Sequence, residues 1–415
     1  MPQDWRVMRS FGRNAWLMLG IFALSGFAYF GIQAVLLNLY FLRLGYDAEF
    51  IGTLIGFGQF VWAVMALPAG GIGRRWGTRP ALFAWQALHA IGLTLLLFAE
   101  SLPSHLRTGC IVIGWTVFWI GGAFGGVNAT PFLMRVTTPG VRNHVFSAQV
   151  AMFSMMGFIG SSVAGVLPGI MATLAGASLA DAAPYRMALW LAPAAHVLCV
   201  LILSKTTDPQ TDGVAAVAVA ASRPMRVLVF WGLLMFLLTS SEGSVRAFFN
   251  VYLDKQLSMP AAQIGTVFGI GQFVSIIAAL SAPAFLRRFG ASRVIVCVTM
   301  GISLALVALG TLSDGLAATL GYVSVLFLAA ISTAARAIMS QEIVHARWRT
   351  IIAAVQTIGL GLGWASAAAI GGRVVTLFGF GPYFLISAGI AFLAALLMLG
   401  FERKSPAALL NRMAG

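Results

Sequence analysis

Twelve stretches of this chain carry no Asp, Glu, Lys or Arg: 16–42, 51–73, 80–99, 108–134, 145–180, 187–204, 227–241, 258–286, 294–313, 315–335, 350–372 and 374–401. A bilayer-spanning helix needs about 20 mostly apolar residues, and most of these stretches supply them. Within hydrocarbon the backbone has no water to bond. Only helices and closed barrels satisfy it there. Two of them hold Gly-rich strings, IGTLIGFGQFV and IGTVFGIGQFV, that are short of sustained polar/apolar alternation, which argues against a barrel. Charged residues make up 9% of the chain, against roughly 25% in an ordinary soluble domain. The chain therefore reads as an all-α, multi-pass membrane protein. The first stretch follows Arg6, Arg9 and Arg13 as a signal peptide would. It is too long for a signal h-region and has no clear small-residue cleavage site, so a retained first helix is expected.

The chain also repeats itself. Residues Ile51–Val61 read IGTLIGFGQFV and Ile264–Val274 read IGTVFGIGQFV, identical at eight of eleven positions. The same offset carries Arg74-Arg75-Trp76-Gly77 onto Arg287-Arg288-Phe289-Gly290. Asn38-Leu39-Tyr40 matches Asn250-Val251-Tyr252 with one residue of slippage, and Arg142 to Gln149 matches Arg349 to Gln356 in spacing. The expected organisation is a six-span bundle over residues 1–204, a linker over 205–226 and a second six-span bundle over 227–415. Internal repeats of this kind suggest two bundles that rock about a site near the bilayer midplane.

The formal net charge of +14 follows topology. With the N-terminus placed inside, nineteen Lys and Arg fall on the inner side, five on the outer side and two, Arg246 and Arg336, within spans. That is the positive-inside pattern. It puts both termini in the cytoplasm and makes the basic residues contacts for anionic lipid, with no nucleic-acid surface. A bacterial inner membrane is the expected location. Cys110, Cys199 and Cys297 lie in apolar stretches, and neither disulfide nor metal-ligand spacing is visible. There is no Walker-type phosphate loop and no catalytic constellation, so no cofactor and no enzyme activity are expected.

Twelve spans, a six-plus-six repeat, an inner central linker and a basic Gly-containing loop after the second span resemble the major facilitator superfamily. The resemblance covers essentially the whole chain. The family's loop, Gly-x-Leu-Ala-Asp-Arg-x-Gly-Arg-Arg/Lys, aligns with Gly70 to Arg79 here. Gly70, Arg75, Gly77 and Arg79 match it. Arg74 stands where the family has Asp, and Arg287 does the same in the second half, followed by Arg288 and Gly290. The resemblance implies a gating role for this loop. Its plain alternative is a basic topogenic turn. Guanidinium cannot accept hydrogen bonds, so a different latch is expected: arginines capping helix carbonyls, or meeting Glu342. The family's Gly-Pro motif of the fifth span is only loosely echoed, by Gly157, Gly160, Gly165, Pro168 and Gly169.

Ionisable residues inside a membrane are costly and are functional candidates. Glu242 and Arg246 lie in the seventh span, Arg336 in the tenth, and Glu342 near the tenth span's inner end. The resemblance implies that spans 1, 4, 7 and 10 line a cavity, with 3, 6, 9 and 12 as scaffold. Glu242 and Arg246 share a helix face at i,i+4. They form either a coupling pair, in which Glu242 exchanges a proton tuned by Arg246, or a permanent ion pair. Arg336 has no partner on its own helix, and it contacts either an anionic substrate or a facing helix. Gln33 and Asn128 break the repeat and are substrate candidates. Asn38 is a further polar candidate. The repeat-related pairs Gln59/Gln272 and Gln149/Gln356 read as helix cross-links. Tyr29, Phe30, Trp115, Phe118, Trp119 and Trp364 could wall an apolar cavity or simply pack helices. His89 and His196 fall on scaffold spans and read as structural.

The sequence points to a monomeric secondary transporter in contact with membrane lipid, using alternating access and protons to export an amphipathic small molecule. Import of an organic anion through the buried arginines is the alternative. A receptor or scaffold on a transporter fold is the competing class.

Overall fold

With water excluded, each span must close its own hydrogen bonds, and the chain does this as helix throughout. The computed structural model describes residues 11–207, 225–344 and 349–404, and none of these is in a strand. The helices are α1 (Arg13–Arg43), α2 (Ala48–Trp76), α3 (Thr78–Phe98), α4 (Ser104–Val136), α5 (Pro139–Ala175) and α6 (Ala183–Ser204). After them come α7 (Met225–Lys255), α8 (Ala261–Phe289), α9 (Ala291–Thr311), α10 (Gly315–Glu342), α11 (Arg349–Phe378) and α12 (Phe380–Lys404). Twelve helices among the described residues are long and apolar enough to cross a bilayer, as the charge-free stretches led us to expect. The chain is an integral multi-pass membrane protein. Most of the expected linker, residues 208–224, lies outside the described residues.

The chain divides into two compact units. The first comprises Met1–Tyr46, Phe60–Val214 and Met259–Phe273; the second comprises Asp47–Gln59, Ala215–Ser258 and Val274–Gly415. The N-terminal part of α2 therefore counts with the second unit and that of α8 with the first.

Small residues set the helix spacing within each unit. In the first, α1 lies directly on α5: a Cβ at Gly31 would sit 2.5 Å from the Gly160 Cα, and one at Gly26 would run into the Phe153 carbonyl. Phe27–Gln33 of α1 is a π-helical segment at this crossing. In the second unit Gly359 and Gly363 of α11 face Phe236 and Thr239 of α7. Thr239 Oγ1 is 2.8 Å from the Met235 carbonyl and 3.4 Å from that of Gly359. Tyr383 of α12 donates to the Ala367 carbonyl at 2.7 Å.

The repeat reappears in these crossings. A Cβ at Gly52 would stand 2.9 Å from the Gly372 Cα in the second unit, and one at Gly265 would stand 2.6 Å from the Gly165 Cα in the first. The offset that aligns the IGT strings maps Gly52 onto Gly265. The offset that aligns Arg142 with Arg349 maps Gly165 onto Gly372. The duplicated sequence thus builds one glycine–glycine crossing twice.

Gly77 and Gly290 precede α3 and α9 with φ/ψ of 97°/156° and 78°/156°. This region is essentially reserved for glycine, and other residues held there cost on the order of 1–3 kcal/mol. Neither Gly77→Ala nor Gly290→Ala removes a contact of its own, so both should lower the thermal unfolding midpoint by a similar amount. An unchanged midpoint in either would contradict this backbone geometry.

Candidate functional site

The second unit holds a buried ion pair. Glu242 on α7 and Arg336 on α10 are 4% and 5% exposed. Arg336 Nη2 lies 3.2 Å from Glu242 Oε1 and donates to Oε2 at 3.3 Å. The same nitrogen donates to Thr333 Oγ1 at 3.0 Å. The pair is incompletely bonded: Arg336 Nη1, Glu242 Oε1, Ser332 Oγ and Trp364 Nε1 are buried and lack hydrogen-bond partners among the described residues. Buried polar atoms are ordinarily satisfied, and a set of unsatisfied ones is where a ligand or water would complete the bonding.

This arrangement differs from the i,i+4 reading. Glu242 pairs with Arg336 across two helices, and Arg246 is exposed with its guanidinium 6.0 Å from the Trp364 ring centroid. The reason is geometric. An i,i+4 neighbour lies along the helix surface, whereas Arg336 approaches the carboxylate from a facing helix. Arg336, for which the sequence offers no charged partner on its own helix, finds one in Glu242 and also bonds Thr333 one turn away on α10.

In the first unit five of the six aromatic residues form a contiguous cluster, with Trp115, Phe118 and Trp119 buried in it. Tyr29 stacks on Phe118 at 6.3 Å and meets Trp119 edge-on at 6.3 Å. Trp115 stacks on Phe118 at 5.3 Å and meets Trp119 at 5.8 Å. Phe30 joins through Tyr29 at 5.3 Å and packs on Phe153 at 5.2 Å. Trp364 stands apart, under Arg246 in the second unit. Gln33, at the end of the π-helical segment, is 4% exposed with both amide atoms unbonded, and Trp119 Nε1 is also unbonded. Asn128 has a different setting. Its amide donates to the carbonyls of Ala69 at 3.2 Å and Phe124 at 3.0 Å, which ties α4 to α2. Any Cβ at Gly73 would collide with its Oδ1. Asn38 is buried. Of the paired glutamines, Gln356 accepts from Trp231 Nε1 at 3.2 Å, whereas Gln59 and Gln149 each leave Oε1 unbonded.

The loop after α2 contributes one cap. Arg79 donates to the Ser204 carbonyl at 3.2 Å and to Thr206 Oγ1 at 3.1 Å, closing the C-terminus of α6 where a cation is favoured. At the start of α9, Arg293 lies 3.7 Å from Glu402 of α12. Gly70 faces Val127, while Arg75, Arg287, Arg288 and Glu342 are exposed. The Arg74 side chain lies outside the described residues.

One cluster escaped the sequence reading. His196 of α6 is 2.7 Å from Gln86 Oε1, and Gln86 Nε2 donates to Ser25 Oγ at 3.2 Å. His89 of α3 lies edge-on to His196, with ring centroids 4.7 Å apart. Both histidines are buried, on helices the family resemblance marks as scaffold. The available signal was Gln86 three residues before His89, which puts both on one face of α3.

No family model matches the chain. A curated relative, the multidrug resistance protein MdtH of Photorhabdus laumondii, is 26% identical over 156 residues, 37% of each chain. The match thus spans well under half of that relative. Two solved structures extend over nearly the whole chain. The nucleoside transporter NupG superposes with a TM-score of 0.72 at 16% identity, covering 94% of this chain and 100% of its own. A D-xylose–proton symporter does so with a TM-score of 0.73 at 15% identity, covering 93% and 96%. Twelve helices and these superpositions together establish that the chain has the fold of the major facilitator superfamily.

Proposed function

We propose that this protein is a secondary transporter that exports a small amphipathic organic solute by alternating access, in exchange for protons. The observation that carries this reading is the buried, incompletely bonded Glu242–Arg336 pair. With Glu242 ionised the pair is neutral, and with Glu242 protonated it carries one positive charge. A cationic solute near it therefore prefers the ionised carboxylate, so solute and proton exclude each other, as exchange requires. Linkage makes this reciprocal. Taken by itself, the aromatic cluster of the first unit is of the kind that suits apolar organic groups. The relative named for multidrug resistance agrees in kind. Positive-inside charge supports cytoplasmic termini and, in a bacterium, a location in the inner membrane.

The unbonded Arg336 Nη1 favours a second reading. An organic anion would complete that guanidinium and would prefer a protonated Glu242, so anion and proton would travel together inward. Solute charge thus sets the sign of coupling. Binding of ethidium and of benzoate to the purified protein in weakly buffered solution, followed with a pH dye, separates the readings. Exchange predicts proton release on ethidium binding, and Glu242→Gln should abolish it. Proton uptake with benzoate favours anion import. Flux of neither probe in proteoliposomes, with binding intact, would move the protein to the receptor class.

A further inference from the structure

Between Leu238 and Leu253, α7 is buried at every residue but one, and that one is Arg246, which is exposed. A face turned to lipid repeats along a helix every three to four residues. The positions that would share such a face with Arg246 are Thr239, Glu242, Gly243, Phe249, Asn250 and Leu253, and all of them are buried. Arg246 therefore reaches open space through a single gap in an otherwise wrapped helix. It stands nine residues before Lys255, the last residue of α7, which is about 14 Å along the axis. That is farther than an arginine side chain extends. A charge at such depth faces protein or water and avoids hydrocarbon.

The gap also leaves a charge unbalanced. From Leu228 to Leu253 of α7 and from Leu316 to Met339 of α10, the charged residues are Glu242, Arg246 and Arg336. The Glu242 carboxylate is taken by Arg336. No carboxylate or carbonyl among the described residues bonds the Arg246 guanidinium, whose neighbour is the Trp364 ring with its centroid 6.0 Å away. Trp364 is half-buried and packs on Gly243 of α7, where a Cβ would come within 3.2 Å of its Cδ1. An indole face attracts the cation and fixes its place, but it leaves the N–H groups without acceptors. One net positive charge thus remains in α7 and α10. It sits on a planar fork of five donors, a shape that matches carboxylate and other small anions.

We propose that Arg246, seated on Trp364, is a binding site for one singly charged anion. The anion is either a carboxylate carried by the solute or a free anion from solution. Arg246 is open where Arg336 is buried, so this site is distinct from the Glu242–Arg336 pair. When it is filled, α7 and α10 are neutral, and a cationic group approaching Glu242 no longer meets an uncompensated arginine.

Iodide tests the site, being a singly charged anion that quenches indole fluorescence on contact. It is titrated into the purified full-length protein at constant ionic strength. The wild type should show a saturable component of quenching, and Trp364→Phe should lack it. Arg246→Gln removes the charge-assisted bonds and should raise the half-saturating iodide concentration about tenfold or more. Arg246→Lys keeps the charge and should stay within a few-fold of the wild type, which a folding defect at this position would not allow. No saturable component, one that persists in Trp364→Phe, or one unchanged in Arg246→Gln would overturn the site. Displacement of iodide identifies the source. Cyclohexanecarboxylate acting at far lower concentration than chloride assigns the site to a carboxylate on the solute. Equal potency assigns it to a free anion, and displacement by neither overturns it. Ethidium flux in proteoliposomes keeps this claim apart from the transport reading. Flux without saturable quenching sinks the anion site alone. Saturable quenching without flux sinks the transport reading alone.

Discussion

Arg336→Ala should be among the most damaging single substitutions in this protein. It leaves the Glu242 carboxylate buried without its cation, a change that costs roughly 3–5 kcal/mol when one partner of a buried pair is removed. The expected result is a lower unfolding midpoint and loss of solute flux. The double variant Glu242→Gln/Arg336→Met removes both charges. It should recover most of the lost stability, because a buried pair replaced as a pair is often neutral in energy, yet it should remain inactive. Stability and flux then part company, which separates a working pair from a purely structural one. Recovery of flux in the double variant would make the pair structural. A single variant as stable as the wild type would mean that the 3.2 Å contact does not form.

Gly31→Ala should be nearly as harmful for an unrelated reason. Its Cβ would approach the Gly160 Cα to 2.5 Å. Backbone faces backbone there, so no side chain can turn aside. Overpacking of this kind costs about 1–3 kcal/mol. Gly20→Ala on the same helix is the comparison, since nothing lies within 4 Å of its added carbon. It should be neutral or stabilise by up to about 1 kcal/mol. Thermal unfolding of the two variants side by side checks this, and equal midpoints would contradict the close α1–α5 crossing.

The spans and the repeat could be read from sequence because each is a one-dimensional property. A charge-free run and a duplicated string need no knowledge of what they touch. Contacts between helices are different. The i,i+4 spacing drew Glu242 towards Arg246, whereas its partner Arg336 lies 94 residues away on another helix. The glycines of the fifth span were visible as an echo of a family motif, but the crossings they make with α1 and α8 were not. Asn128 read as a substrate candidate because it lacks a repeat counterpart, and its amide donates to the Ala69 carbonyl beside the space that Gly73 leaves. The aromatic cluster was legible as composition and close spacing along α1 and α4. His89 was set aside on the role implied for its helix, and its edge-on contact with His196 only shows once both helices are in place.

The π-helical segment Phe27–Gln33 changes how α1 must be mapped. A wider turn takes up roughly one extra residue, and one residue is about 100° of rotation in an α-helix. Positions before Gly26 and after Ala34 thus follow two angular registers, and a stripe extrapolated from either end arrives on the wrong side of the helix. Accessibility scanning along α1 would record a phase jump at this point. Deleting a single residue within the wide turn would let it close to ordinary α-helix with Asn38 and Tyr40 still facing as they do, whereas the same deletion in the regular helix at Gly20 would swing them round by about 100°.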